Sequence, residues 1–329
     1  MTFDGLSRAL RSNKPLLRDL HTAARLRLHL FEHTDAVRLH DADRDPIAGL
    51  TVERYGDYAV LSAYQPEIVA QRREIAEALI ELGARGVYYK ERVRADLRRH
   101  SSQNLAPSAP LWGVAAEPQF VVREGSLRFH VRIGDGLATG LFIDQRDNRS
   151  RLQERSRGAN VLNLFSYTCS FSVAAAVGGA QRVTSVDLSG AALTRGNENL
   201  ELNALPREQH RLLKADARKW LERAGRRPER YDQIVLDPPV FSSDGHDSFS
   251  VERDYDEMTR QCVQLLSPGG CLLAILNHRG TSSDQHRAIV LSAANAMSRT
   301  IRRLDTALPA EDCAQSGPAM TKGLLLQVA

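Results

Sequence analysis

The chain has 329 residues, of which 42% are hydrophobic and 26% are charged, and its net charge is +4. These values exclude a fibrous or disordered protein, and the length favours two folded domains over one. The sequence pI of about 9.0 is compatible with a polyanionic partner. Arginine dominates the basic residues, however, and a GC-rich genome produces the same bias, so composition alone leaves a nucleic-acid partner open.

The spacing of the four cysteines and the sequence at the N-terminus indicate where in the cell the protein works. Cys169, Cys262, Cys271 and Cys313 form no C-x-x-C pair and lie at no spacing to histidine that suits zinc, so no metal is expected. The sequence begins with no signal peptide, and no apolar run approaches the roughly 20 residues that span a bilayer. We therefore predict a cytoplasmic protein with reduced thiols and no membrane association, either a monomer or a homodimer.

The N-terminal part of the chain predicts a helical segment and then a small domain. Leucine and alanine recur at helical spacing over 5–30, which indicates one or two amphipathic helices within a segment 1–35. From residue 36 the pattern changes to short alternating runs. The sequence therefore predicts a small α+β domain over 36–135.

Two hairpins and one helix are predicted in this small domain. The alternation in LTVERYGDYAVLSAY, with its central Tyr-Gly-Asp, indicates a β-hairpin, and a second hairpin turns around Glu124-Gly125. A helix is predicted over 67–82 and a strand over 86–90. The polar segment 101–110 has the composition of a loop.

The remaining residues, 136–329, predict an α/β domain with a doubly wound, mostly parallel sheet. The segment GLFIDQRDNRSRLQE at its start predicts a helix before the first strand. Apolar strands then alternate with helices in the order NVLNLF, SVAAAV, RVTSVDLS, AALTRGNENLELN, RLLKAD, ARKWLERA, YDQIVLDPP and GGCLLAILN. Strands that alternate with helices of about 10–15 residues are typical of βαβ units.

Polar residues follow the predicted strands at the edge where such a sheet binds its ligand. A loop and helix start over 166–170 follow the first strand, Asp187 ends the second and Asp216 ends the third. The position of Asp187 after Asn163 fits an acidic residue that accepts hydrogen bonds from ribose hydroxyls. Each aspartate taken alone is equally typical of a helix cap. Their order on successive strands favours a nucleoside cofactor.

The fourth strand ends in IVLDPPVF, which predicts a rigid clamp. Pro238 and Pro239 hold the backbone, so Asp237 can bind the polar edge of a flat base while Phe241 stacks on its face. A Pro-Pro pair after a strand is also common simply because proline ends regular secondary structure. A NAD-dependent dehydrogenase is disfavoured because the first loop contains no glycine and thus no G-x-G-x-x-G.

Five segments together resemble the large-subunit rRNA methyltransferases that include the RlmI cytosine-5 and RlmK guanine-N7 enzymes: TGLFIDQRDNR, VLNLFSYTCSFSVAAAVGGA, VTSVDLS, NENLELN and IVLDPPVFS. The similarity extends from about Ala36 to the C-terminus, where KGLLLQV looks like the closing strand of the family. The resemblance implies a Rossmann-like class I methyltransferase domain after a small, RNA-binding α+β domain. It also implies S-adenosylmethionine as the methyl donor and 23S ribosomal RNA as the substrate.

The resemblance assigns roles to individual residues. Those expected to bind the cofactor are Asp144, Gln145, Arg146, Asn163, Phe165, Ser166, Tyr167, Thr168, Asp187, Leu188, Ser189, Asn203, Asp216, Ala217 and Asp237. Those expected to act in catalysis are Asp237, Pro238, Pro239, Phe241 and Asn277. The chain departs from the family at Cys169, which stands where these enzymes usually have glycine, and this puts the loop conformation and cofactor affinity in question.

The identity of the methylated base depends on a cysteine. Cytosine carbon 5 is a poor nucleophile and normally needs an enzyme thiolate at carbon 6, whereas guanine N7 already carries a lone pair. The strand after Asp-Pro-Pro continues as LLAILNHRGTS, without the cysteine of the RlmI branch, and LHDADRDP also resembles the RlmK branch. In addition, only about 35 residues precede the small domain, too few for the PUA domain of the cytosine branch.

We therefore predict guanine-N7 methylation of 23S rRNA. The alternatives are a 23S rRNA cytosine-5 methyltransferase, a small-molecule methyltransferase and a non-catalytic RNA-binding protein.

Overall fold

A computed structural model describes residues 14–93, 105–243, 248–313 and 321–329. Within these ranges the chain divides into two compact units, one of residues 14–144 with 311–313 and one of residues 145–310 with 321–329. The first part of the predicted N-terminal helical region and residues 101–104 of the predicted loop lie outside the described residues. In the described ranges, no helix combines the length and apolar character that a membrane span requires.

The first unit is an α+β structure that contains both predicted hairpins. Its sheet has the order β1-β2-β3-β4-β5, and β6 and β7 form a separate antiparallel pair. The elements are α1 (Pro15–Arg25), a 3-10 helix (Leu28–Glu32), β1 (Ala36–His40), β2 (Leu50–Tyr55), β3 (Tyr58–Ala63), α2 (Pro66–Glu81), β4 (Gly86–Glu91), β5 (Trp112–Gly113), β6 (Phe120–Glu124) and β7 (Leu127–Val131).

Helix α2 covers one face of this sheet. Pro66 stands at the first helical position, where its missing N–H is no loss, and Ile75 and Leu79 point into the core. They pack with Leu50 and Leu61 of the sheet in one apolar cluster. Each fully buried side chain of this size contributes about 1.5–3 kcal/mol relative to exposure, so this interface stabilises the unit.

The second unit has the doubly wound α/β fold that the sequence predicts. Its sheet has the order β10-β9-β8-β11-β14-β16-β15, in which β16 runs antiparallel to its neighbours β14 and β15. The strands are β8 (Asn160–Leu164), β9 (Arg182–Asp187), β10 (His210–Lys214), β11 (Tyr231–Leu236), β14 (Leu266–Asn277), β15 (Ile301–Thr306) and β16 (Thr321–Val328). The predicted closing strand is therefore confirmed as β16.

Helices line both faces of this sheet. They are α3 (Arg146–Arg155), α4 (Ser170–Val177), α5 (Gly190–Leu202), α6 (Ala217–Ala224), α7 (Val251–Leu265) and α8 (Ser283–Ala296). Leu221 of α6, Met258 of α7 and Val290 of α8 pack on one face, and Leu152 of α3 and Ala175 of α4 pack on the other. A continuous apolar strand buried on both sides requires such a two-sided cover.

The connectivity locates the ligand-binding edge. The chain begins in the middle of the sheet at β8, moves outward through β9 and β10, and returns to β11 on the other side of β8. The order reverses between β8 and β11, and ligands of doubly wound sheets bind beyond the carboxyl ends of strands at such a point. A small hairpin, β12 (Phe241–Ser243) and β13 (Ser248–Ser250), follows β11 there and was not predicted.

Candidate active site

The loop after β8 has an unusual backbone. Phe165, Tyr167 and Cys169 have positive φ angles of 57°, 48° and 61°, in the left-handed region that non-glycine residues seldom adopt. Hydrogen bonds hold this conformation: the Ser166 amide donates to the Val186 carbonyl (3.1 Å) and the Cys169 amide to the Ser166 carbonyl (2.7 Å). Such strain persists where surrounding contacts determine the backbone, and it is common at ligand sites.

Asp187, at the end of β9, organises the neighbouring backbone. Its Oδ2 accepts from the Tyr167 amide and its Oδ1 from the Ser189 amide, each at 2.8 Å. Burial raises the pKa of this carboxyl group, although the backbone hydrogen bonds oppose the shift. The Leu188 amide also donates to this carboxylate, which has about four acceptor sites, so capacity for a ribose hydroxyl remains.

Asn199 on α5 is a residue that sequence reasoning missed. Its side chain is 1% exposed, and its amide nitrogen donates to the Thr168 carbonyl at 3.0 Å. The predicted cofactor residue Asn203 lies one turn further on, where its amide donates to the Asn199 carbonyl (2.7 Å). The i, i+3, i+7 spacing of Gly196, Asn199 and Asn203 could have identified this helix face.

Gly196 explains how the loop accommodates Cys169. A Cβ on Gly196 would lie 2.4 Å from the Cys169 Sγ and 3.0 Å from its Cβ, so the glycine leaves the space that the thiol fills. The Sγ lies 3.8 Å from the Ser166 Oγ and 3.9 Å from the Tyr167 carbonyl, both as acceptors. The departure from glycine at position 169 is thus matched by a glycine on the facing helix.

This pairing makes a prediction about stability. Gly196→Ala is expected to lower the melting temperature by several degrees, because overpacking costs about 1–3 kcal/mol and about 1 kcal/mol shifts the melting temperature of a domain of this size by roughly 2–4 °C. In a Cys169→Gly background the same change is expected to be neutral or stabilising, because alanine is the better helix former. Calorimetric melting of the four proteins tests this, and an equal loss in both backgrounds would contradict it.

Asn163 lies beneath the loop. Its amide donates to the Ser172 Oγ at 2.8 Å, and that hydroxyl pairs with the Ser185 Oγ at 2.7 Å. All three side chains are buried, so this short chain connects β8, α4 and β9. A contact of Asn163 with the methionine part of the cofactor stays a prediction.

Asp216, after β10, caps α6. Its Oδ1 accepts from the Arg218 amide at 2.8 Å, and its Oδ2 pairs with the Arg218 guanidinium at 2.7 Å. Burial raises its pKa, but the bonds from Arg218 outweigh this and hold the pKa below the ordinary value. Asp216 is therefore ionised, and donors of Arg218 and Lys219 already occupy its oxygens. A contact of Asp216 with adenine stays a prediction. Ala217, the next residue, is buried.

The Asp-Pro-Pro motif leads directly into the small hairpin. Asp237 and Pro238 lie at the base, where Pro238 is buried, while Pro239 and Val240 are exposed. Phe241 is 62% exposed, so its ring is available to a substrate. The Val251 amide donates to the Val240 carbonyl (3.2 Å) and closes the hairpin base.

Asn277 ends β14 beside this motif. Its Oδ1 atom is buried and accepts no hydrogen bond from the part of the chain that the structure describes. A buried acceptor of this kind costs free energy until it is paired, so Asn277 is a candidate to accept from a bound ligand. The adjacent backbone is held in place, because the Lys322 Nζ donates to the His278 carbonyl at 2.7 Å.

The remaining predicted cofactor residues lie in two places. Asp144 belongs to the first unit, whereas Gln145 and Arg146 begin the second. The buried Gln145 side chain accepts from the Asn148 amide at 2.9 Å, and Leu188 and Ser189 follow Asp187, where the Ser189 hydroxyl caps α5. The roles of these residues toward the cofactor stay predictions.

The second unit therefore brings its predicted strand-end residues to one edge. The segments after β8, β9, β10, β11 and β14 all leave the carboxyl ends of parallel neighbours, with Leu236 in register with Leu164 and Ala274. Two strand-end carboxylates, Asp187 and Asp216, and a loop of polar backbone form a donor and acceptor set that suits a nucleoside cofactor. The fold and this edge define a class I methyltransferase.

A comparison with protein families identifies the family to which this chain belongs. Residues 59–324 match the model of an S-adenosylmethionine-dependent methyltransferase family, and the chain belongs to this family. It is an enzyme, and its cofactor is S-adenosylmethionine. The resemblance to the RlmI/RlmK-like enzymes and the Rossmann-like fold class are both confirmed.

Individual relatives support this membership. The chain is 35% identical over 279 residues to ribosomal RNA large subunit methyltransferase K/L of Shewanella loihica, covering 82% of this chain but only 38% of that protein. It is also 31% identical over 282 residues to YwbD of Bacillus subtilis, which is named provisionally as a large-subunit rRNA methyltransferase. This match covers 84% of this chain and 70% of YwbD. The fold also superposes on the crystal structure of SMU.776, a provisionally classed methyltransferase in complex with SAH, with a TM-score of 0.84 at 31% identity. The superposition covers 95% of this chain and 81% of SMU.776.

The bound cofactor supplies a methyl group on a positively charged sulfur. The residues of this chain then have to orient a nucleophile toward it and exclude water. Over the described ranges no cluster of three or more histidine, cysteine or acidic side chains has the arrangement of a metal site.

Proposed function

We propose that this chain methylates 23S ribosomal RNA of the large subunit, at N7 of a guanine. The two relatives at 35% and 31% identity carry names of large-subunit rRNA methyltransferases, which supports the RNA class. The chain spans only 38% of the K/L relative, so its substrate is our inference and not a property taken from the whole of that protein. We also propose that the small domain, 36–135, binds RNA and that the enzyme works in the cytoplasm.

The state of the thiols carries the proposal for guanine. All four cysteines are buried, and burial raises the pKa of each; for Cys169 it reaches about 11. A neutral, enclosed thiol does not add to carbon 6 of a cytosine, because the thiolate is the nucleophile. Guanine N7 needs no such step, since its lone pair can attack the methyl group directly.

The substrate edge is suited to a planar base. Asp237 and the unpaired Oδ1 of Asn277 are acceptors, and the exposed Phe241 ring offers a stacking face. The guanine amino group is a donor for such an acceptor. These residues would hold the ring while its N7 points toward the methyl group, and positioning of this kind supplies much of the acceleration in a displacement.

Replacement of each cysteine separately distinguishes the two bases. Cys169→Ala, Cys262→Ala, Cys271→Ala and Cys313→Ala are each expected to keep kcat for rRNA methylation within a few-fold, since no thiol takes part in the reaction. Melting curves identify any variant that is only less stable. If one variant kept its fold and affinity for SAH but lost methylation by 1000-fold or more, about 4.1 kcal/mol, that cysteine would be a nucleophile and the base a cytosine.

A strain that lacks this gene tests the proposal in the cell. We expect nucleoside mass spectrometry of its 23S rRNA to show less 7-methylguanosine, with 5-methylcytidine unchanged. Loss of 5-methylcytidine with 7-methylguanosine retained would establish the cytosine alternative. If neither changed, while the purified protein methylated a small metabolite, the RNA substrate would be wrong.

A further inference from the structure

Arg218 lies between two parts of the site. Its guanidinium binds Asp216 through Nη2 (2.7 Å) and Nε (3.3 Å), and its Nη1 donates to the Ser248 carbonyl at 3.0 Å. The same Nη1 lies 3.6 Å from Asp254. One side chain thus joins the strand end proposed for adenine to β13 of the small hairpin.

The hairpin has a second anchor on the cofactor loop. The ring of Phe249 is 2% exposed, and its centroid lies 5.2 Å from that of Phe165, at an interplanar angle of 47°. Phe165 begins the loop with positive φ angles after β8. The strand that pairs with Phe241 is therefore attached to cofactor-binding segments at two separate points, one polar and one aromatic.

Asp254 completes the polar anchor. It accepts from the Ser250 amide at 3.0 Å and from the Arg253 guanidinium at 2.8 Å. Burial raises the pKa of Asp254, but hydrogen bonds from Arg253 and Ser250, together with the charge of Arg218, lower it overall. Both carboxylates are thus ionised, and the side chains of Arg218, Asp216 and Asp254 are less than one fifth exposed, where charge pairs are less screened than on the surface.

We propose that Arg218 is a positioning residue that couples cofactor binding to the substrate-facing hairpin. When the cofactor contacts Asp216 and the loop at Phe165, it stabilises the arrangement in which Arg218 holds Ser248, and with it the strand paired to Phe241. The planar guanidinium is the better bridge, because a lysine ammonium holds a carboxylate and a carbonyl with a less fixed geometry. The substrate side of this inference rests on the proposed function, whereas the link to the cofactor does not.

Hydrogen–deuterium exchange of the full chain tests the coupling with SAH as the only ligand. Affinities are first measured by calorimetry, and each protein is then saturated with SAH. In the wild type we expect SAH to slow exchange of the backbone amides over 248–251 by about fivefold or more. In Arg218→Met this slowing is expected to disappear although SAH still binds, and Arg218→Lys is expected to lie between the two.

Arg223→Met is the matched control, because Arg223 is an exposed arginine on the same helix. It is expected to keep the full SAH-dependent slowing. Asp254→Asn weakens the same anchor from the hairpin side. If Arg218→Met does not fold, Asp254→Asn replaces it and is expected to reduce the SAH-dependent slowing. Equal slowing in the Arg218 and Arg223 variants, or no slowing in the wild type, would overturn the proposal. Because no RNA is present, failure here is distinct from failure of the proposed substrate.

Discussion

Asp237→Ala is expected to abolish methyl transfer and to leave the dissociation constant for SAH within a few-fold of the wild type. Asp237 begins the stiff Asp-Pro-Pro turn after β11, and the same edge of the sheet carries the exposed Phe241 and the buried acceptor of Asn277 at the end of β14. Loss of its carboxylate releases the base from the geometry that the reaction needs. A misplacement of about 1 Å can cost about 100-fold in rate, so we expect a fall in kcat of at least that size.

Rate measurements with saturating rRNA, together with calorimetry of SAH binding, check this result. Asp237→Asn serves as the isosteric comparison, because it keeps the shape of the side chain but removes the charge. A loss of SAH affinity of 100-fold or more in Asp237→Ala, equal to about 2.7 kcal/mol, would show that Asp237 mainly holds the cofactor.

Asp187→Ala is expected to weaken SAH binding by 100-fold or more. The carboxylate would lose any bonds to the ribose, and the Tyr167 and Ser189 amides would lose their acceptor. Hydrogen bonds to charged groups contribute about 1.5–3 kcal/mol each, so two lost bonds account for the expected change. Calorimetric titration with SAH measures it directly.

Asp232→Ala is the matched control for this prediction. Asp232 also accepts one backbone amide, that of Asn160 at 2.8 Å, but it lies at the opposite end of the same sheet. Its loss is expected to lower stability and to leave SAH affinity unchanged. If the two variants bound SAH equally well, Asp187 would not contact the ribose.

The sheet and its functional edge could be predicted because both depend on local sequence patterns. Continuous apolar runs such as NVLNLF and YDQIVL are buried on both faces, which only the interior strands of a parallel sheet require. The polar residues after each run then have to meet at one edge. For the same reason Asp187, Asp216 and Asp237 could be assigned to a common edge without any knowledge of the strand order.

The supports of this edge could not be predicted, because they depend on contacts distant in the sequence. Asn199 reaches back to Thr168, Gly196 faces Cys169, and Arg218 binds a carbonyl of β13. The spacing of Gly196, Asn199 and Asn203 marks one face of a helix, but nothing in the sequence says which distant residue that face contacts. The short strands β12 and β13 were missed because three residues each are too few to show a period of two.

The glycine-free loop after β8 shows how a departure from a family pattern can be accommodated. From the sequence, Cys169 in place of glycine puts cofactor binding in question. The structure places it at φ 61° with its thiol against Gly196, so the residue that relieves the conflict lies on another helix. Substitutions at such loops therefore have to be interpreted together with the residue that faces them.

Methyl transfer in vitro to unmodified 23S rRNA tests the central claim most directly. The purified chain is incubated with S-adenosylmethionine labelled in its methyl group, and the RNA is digested to nucleosides and analysed by mass spectrometry. We predict that the label appears in 7-methylguanosine, and that Asp237→Ala gives none. Label in 5-methylcytidine, or no label in RNA from a protein that binds SAH, would contradict the account.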